Sequence, residues 1–255
     1  MNLSRLFLSF SLIFIVINVD LTAIELKSDE EYYTIALHSR KEAKQLFEKK
    51  EYRKAFEWYV RQVDYAGYLK DNNLTVEGLN GMSESALKLG NYYEAIFWAK
   101  QSYLYLPDNE FAAANIENAT SHIPTVLKKP FTKAEYGRPA GKSFVSSLFL
   151  EYLDEDTIKF KLYGLRIGGG MLPVEETGGA ANGSTSGIFK KTENQYKAVF
   201  DDYLKDFCDL TLSYAQDYTV VMLDGHCDYG GSGLYAQGNY YLLKNLEHNE
   251  SREFE

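Results

Sequence analysis

The sequence predicts an α+β protein in which N-terminal helical hairpins are followed by an antiparallel β-barrel or sandwich. Three observations carry that expectation. Residues 29–123 are rich in helix-forming Ala, Leu, Glu and Lys, have no proline before Pro107, and contain an internal repeat. Beyond Pro124 and Pro130 the pattern changes to short alternating runs separated by glycine-rich turns. Both cysteines of the chain, Cys208 and Cys227, fall in this second region.

The first 23 residues read as a targeting segment. Arg5 supplies a positive start, and Leu6 to Val19 is apolar apart from Ser9, Ser11 and Asn18. That stretch is shorter than the roughly 20 residues a membrane helix needs, and it matches the apolar core of a secretion signal. Cleavage is expected after Ala23, although Leu21 is a poorer residue than a small one at the position three before the cut. An uncleaved membrane anchor is the competing reading. No later segment is long and apolar enough to span a bilayer, so no stable membrane span is expected after signal cleavage. The expected location is periplasmic or secreted. An even cysteine count in an oxidising compartment then points to one disulfide, Cys208–Cys227.

The remaining domain boundaries follow from the change in pattern: 24–127 helical, 128–244 a small antiparallel β domain, and 245–255 a polar tail. A hydrophobic content of 45% in 255 residues is ample for packed cores. The net charge of −9, with no long basic run, argues against nucleic-acid binding. The 21 tyrosines suit half-buried sheets and interfaces, because each ring is apolar and each hydroxyl polar.

In the helical half, Tyr52, Ala55 and Trp58 recur 40 residues later as Tyr92, Ala95 and Trp98. The second copy has one helix through Leu79, Met82, Ala86 and Leu89, then Gly90 as a terminator, and Pro107 closing the unit. This copy resembles a tetratricopeptide (TPR) repeat. In the first copy Lys50 stands where glycine is usual and Gly67 where proline is usual. About six extra residues, around Leu69 to Leu74, are expected to lengthen the link between copies. Phe111 to Ile123 reads as a third first-helix. The resemblance implies a curved stack with a concave face for a protein or peptide partner. Ser39, Glu42, Asn80 and Ser83 are the residues expected on that face.

In the second half the expected strands are 148–152, 157–165, 187–191, 196–200, 209–214, 219–223 and 233–243. Gly168 to Gly170 and the stretch from Gly178 to Gly187 read as a flexible connection. The segments from Cys208 to Tyr214, Tyr218 to Leu223, Gly225 to Gly230 and Gly238 to Tyr240 resemble a small disulfide-bonded β-barrel module of exported bacterial proteins, found beside lysozyme-inhibitor-like domains. That resemblance implies a fold more than a function. Tyr229 and Tyr235, in the glycine-rich loop after Cys227, are further candidates for protein contact.

No motif points to catalysis. Gly137 to Ser143 imitates a phosphate loop but has three residues, not four, between its glycines. Asp224 to Asp228 gathers metal-ligand residue types in what reads as a tight turn beside the disulfide, where cystine sulfur is a poor ligand. His38, His122 and His248 have no nucleophile beside them in sequence. No cofactor, no metal and no enzymatic activity are expected. The functional expectation is an exported scaffold or adaptor binding a protein or peptide partner. The alternative is an inhibitor or immunity protein whose β domain blocks an envelope-acting enzyme.

Overall fold

A computed structural model describes residues 28–124, 127–139, 145–166, 181–193, 195–200, 208–227 and 236–246. The expected signal segment (1–23), Gly168 to Gly170, Tyr229, Tyr235 and His248 lie outside the described residues. Five helices come first: α1 (Asp29–Glu48), α2 (Tyr52–Tyr68), α3 (Asn72–Lys88), α4 (Tyr92–Tyr103) and α5 (Glu110–Thr120). Eight strands follow: β1 (Lys133–Pro139), β2 (Val145–Tyr152), β3 (Thr157–Arg166), β4 (Ala181–Thr192), β5 (Gln195–Val199), β6 (Cys208–Tyr214), β7 (Val220–Cys227) and β8 (Gly238–Asn245). The chain is therefore α+β, as expected.

Local chemistry sets the helix ends. Ser28 accepts from the Glu31 backbone N–H while the Glu31 carboxylate accepts from the Ser28 N–H, a reciprocal capping box that starts α1. Asp71 and Asn109 cap α3 and α5 in the simpler way, through side-chain oxygens. At the C-termini the chain turns through the left-handed region at Lys50 (φ 63°), Lys70 (φ 58°) and Gly90 (φ 77°). The Lys50 position thus has the backbone of Gly90 without its residue type, which explains why the first repeat reads as degenerate. The extra residues between the copies do not lengthen the link. α2 runs for 17 residues against 12 in α4, Leu69–Asp71 form a short link, and Asn72 to Leu74 open α3.

Successive helices pack as antiparallel neighbours, and α3 also touches α1 and α5. This arranges α1, α3 and α5 as one layer and α2 and α4 as the other. Small residues permit the close approach: Ala86 of α3, Ala95 of α4 and Ala119 of α5 are fully buried together. Ala43 and Ala55 do the same between α1 and α2, beside Tyr59 and Met82.

The strands form a closed antiparallel barrel in sequence order, with β8 returning to β1. Alternation decides what goes inside. Ile158, Phe160 and Leu162 of β3 point inward with Leu148, Leu150, Phe189, Leu210, Leu212, Val221 and Leu223, while Lys159 and Lys161 point out. Side chains fill the interior. Closure removes the exposed strand edges an open sheet would have. β1 and β4 depart furthest from the expected strands. β1 lies in a stretch broken by Gly137 and Pro139. β4 begins at Ala181, inside the stretch expected to be a flexible connection, and pairs with β3 from Arg166↔Ala181 to Thr157↔Lys190. Its Ala-Asn-Gly-Ser opening has little strand propensity; barrel pairing overrides it.

The two halves touch chiefly through α4 and β8. Leu243 points out of the barrel and joins the helical core with Phe97 and Trp98. Gly137 on β1 makes room for it: a Cβ there would lie 2.6 Å from Leu243 Cδ1. Burying such a leucine contributes about 1.5–3 kcal/mol. Tyr93 and Phe131 meet edge to face at 6.0 Å, and both pack on the barrel core.

Candidate binding surfaces

The α1–α3–α5 layer carries the first candidate surface. On α1, Arg40 and Lys44 are one turn apart and reach the same acid on α3. Arg40 Nη1 lies 3.3 Å from Glu77 Oε2, and Lys44 Nζ 2.5 Å from Glu77 Oε1. All three side chains are about a third to a half exposed, so the bridge contributes little to stability. It does hold three charged groups in a fixed array. Toward α5, Asn80 and Asn109 exchange amide hydrogen bonds at 2.9 and 3.4 Å, and Asn109 also donates to Ser102 Oγ at 3.0 Å. Asn115 donates to Ser83 Oγ at 3.2 Å.

The four residues expected on this face divide. Ser39 and Ser83 are fully buried and present nothing to a partner. Ser83 Oγ donates to the Ala95 carbonyl at 2.8 Å, tying α3 to α4. Both serines act as small packing residues between helices. Glu42 and Asn80 are half-buried, at the edge of the layer. Arg40, Lys44 and Glu77 were not singled out from the sequence. The signal for the first two was present: they lie four apart, each directly after a buried residue, Ser39 and Ala43.

The second candidate surface is one end of the barrel. A meander in sequence order puts alternate connections at opposite ends. Tight connections at 153–156, 193–194 and 215–219 share the end where β1 enters and β8 leaves. Tyrosines close that end. Tyr136 Oη donates to the Tyr218 carbonyl at 3.0 Å, and the rings of Tyr136, Tyr152 and Tyr218 all lie within 6.4 Å of the Tyr214 ring. Burial pushes the phenols of Tyr136, Tyr152 and Tyr214 well above the ordinary tyrosine range, so all three are neutral donors at physiological pH.

The opposite end carries the last residues of β1, β3, β5 and β7. Tyr229 and Tyr235 follow β7 in the sequence, outside the described residues. The Cys208–Cys227 disulfide forms here, between residues paired directly across β6 and β7. Arg138 stands at the same end. Its guanidinium lies 5.4 Å from the Tyr240 ring centroid and donates to the Gln237 carbonyl. Asp224 and His226, expected in a tight turn, are exposed residues of strand β7. Among the described residues no group of three His, Cys, Asp or Glu side chains could hold a metal. No described helix is long and apolar enough to cross a membrane.

Comparison with known protein families, with characterised proteins and with solved structures finds no match to this chain.

Proposed function

We propose that this chain is an exported TPR-type scaffold whose first-helix layer binds a protein or peptide partner. One observation carries the reading. The barrel packs on α4, in the second-helix layer, and so leaves the face bearing Arg40, Lys44, Glu77 and Asn80 open. A fixed row of charged and amide groups suits an extended peptide. The carboxylate and cations engage its termini or side chains, while the half-exposed Asn80 amide has hydrogen-bonding capacity left for a backbone group. In this reading the barrel stiffens the stack and orients it.

A second reading, an inhibitor acting through the barrel, has its own support. Tyr229 and Tyr235 follow Cys227 in a glycine-rich sequence, and Cys227 is fixed to Cys208 by the disulfide. Aromatic side chains on a connection anchored to a rigid scaffold suit recognition.

Photo-crosslinking separates the two. A crosslinking residue is placed at Asn80 in one sample of the whole chain and at Tyr235 in another, and each is exposed to envelope extract. A specific adduct from position 80 alone supports the scaffold. An adduct from position 235 alone supports the inhibitor and removes the scaffold reading.

A further inference from the structure

The contact between the helical stack and the barrel contains a charge cluster that packing alone does not require. Glu94 lies on α4, and Glu135 and Lys244 are cross-strand partners on β1 and β8. Lys244 Nζ is 3.3 Å from Glu135 Oε2 and 3.9 Å from Glu94 Oε1. Both glutamates are buried, 8% and 6% exposed. The Lys244 ammonium thus bridges a carboxylate of α4 and one of β1 where α4 packs on β8.

Side-chain hydrogen bonds from β2 and from the start of α4 reach the two carboxylates. Ser147 Oγ donates to Glu135 Oε1 at 2.9 Å, and Asn91 Nδ2 donates to Glu94 Oε2 at 3.1 Å. The Trp98 indole N–H approaches Glu94 but makes no well-formed hydrogen bond. The charged groups that face Glu94 are Lys244 from β8 and Glu135 from β1, and among the described residues α3 and α5 add none. Two buried carboxylates therefore meet one ammonium. Buried like charges are costly unless one is neutralised.

We propose that the Glu94–Lys244–Glu135 cluster is a pH-tuned latch between the helical stack and the barrel, which tightens as the medium acidifies because one proton on Glu94 leaves a balanced Glu135–Lys244 pair. Burial, with Glu135 adding to it and Lys244 opposing it, raises the Glu94 carboxyl above the ordinary carboxylate range. Apart from the barrel, Glu94 would be solvated and would titrate normally. The docked form thus binds more protons between the two pKa values, and docking strengthens as pH falls through that window. The gain is up to about tenfold in the docking equilibrium for each pH unit of the window. It is complete once pH falls below the lower value.

Trp98 is a built-in probe, since the chain has only two tryptophans and Trp58 lies elsewhere, on α2. In the whole chain carrying Trp58→Phe, Trp98 fluorescence is followed during urea unfolding at several pH values between about 7.5 and 5. The unfolding midpoint should rise on acidification, and the native fluorescence should titrate in the same range. Glu94→Gln keeps the shape of the side chain and should abolish both changes. Glu135→Gln gives Lys244 wholly to Glu94 and should move the titration to lower pH. The same pH dependence in Glu94→Gln as in the parent would overturn the latch, as would a midpoint that does not rise in the parent.

Discussion

Ala95→Leu tests the packing of the helical stack at its tightest point. Ala95 is fully buried where α3, α4 and α5 converge, against Ala86 and Ala119 and beside Phe56, Leu87 and Ile96. The added isopropyl group must displace these buried neighbours. Overpacking of a well-filled core costs about 1–3 kcal/mol, depending on whether neighbours can move. Here they move poorly. The Ala95 carbonyl accepts from Ser83, and the far side of α4 is held to the barrel through Phe97, Leu243 and Glu94. The cost should therefore lie in the upper part of that range, about 2–3 kcal/mol. Urea unfolding of the whole chain, followed by circular dichroism, measures it. Ala113→Leu is the control, because Ala113 on α5 is exposed and the same substitution there should be close to neutral. Equal midpoints for the two variants would refute the three-helix packing described here.

Two further outcomes follow from the same structure. Replacing both Cys208 and Cys227 by alanine should cost about 3 kcal/mol in the chain-entropy treatment of a loop this size, since the bridge spans a sequence separation of 19. Thiol labelling of the oxidised, denatured parent should find no free thiol, and denaturant melts of parent and variant give the difference. At alkaline pH, burial, helped by Glu84, Glu77 and Glu48, pushes the Tyr59 phenol up to about 12. The folded chain holds that proton longer than the unfolded chain, whose tyrosines titrate near 10, so stability is intact below about pH 10 and falls as pH rises toward about 12. Tyr59→Phe should remove about 2 kcal/mol of that alkaline loss, as read from melts on either side of the window.

Much of the helical half was legible because its determinants are local. The matched Tyr-x-x-Ala-x-x-Trp runs open α2 and α4, and both alanines sit at fully buried helix crossings. Even the Lys50 mismatch hid the same left-handed backbone turn as Gly90, since a lysine can occupy that region at modest cost. The barrel was legible where strands alternate, as in β3, and illegible where pairing partners define the strand. β1 and the first half of β4 hold glycine, proline, serine and asparagine, which only the closed ladder makes extended. For the candidate surfaces the failure had a different cause. Repeat position indicates which helices line a face, but not the rotation of each helix about its axis. Ser39 and Ser83 turn inward, while Arg40, Lys44 and Glu77 turn outward. The contact of α4 with β8 joins residues far apart in the chain, so neither the pairing of Leu243 with the helical core nor the Glu94 cluster left a mark in any local pattern. The same contact makes the two halves depend on each other. Leu127 belongs to the barrel core, and Leu243 and Phe97 would lose their cover if the halves parted.

The measurement that bears most directly on the scaffold reading is the affinity of the crosslinked partner for the whole chain, compared with two surface variants by titration calorimetry. Glu77→Lys reverses the central charge of the first-helix layer while leaving its buried neighbours in place, and Tyr235→Ala shortens a side chain in the sequence between β7 and β8. The account predicts at least a tenfold loss of affinity, about 1.4 kcal/mol, for Glu77→Lys and an unchanged affinity for Tyr235→Ala. Unchanged binding by Glu77→Lys, with loss confined to Tyr235→Ala, would contradict it and place the recognition surface on the barrel loops.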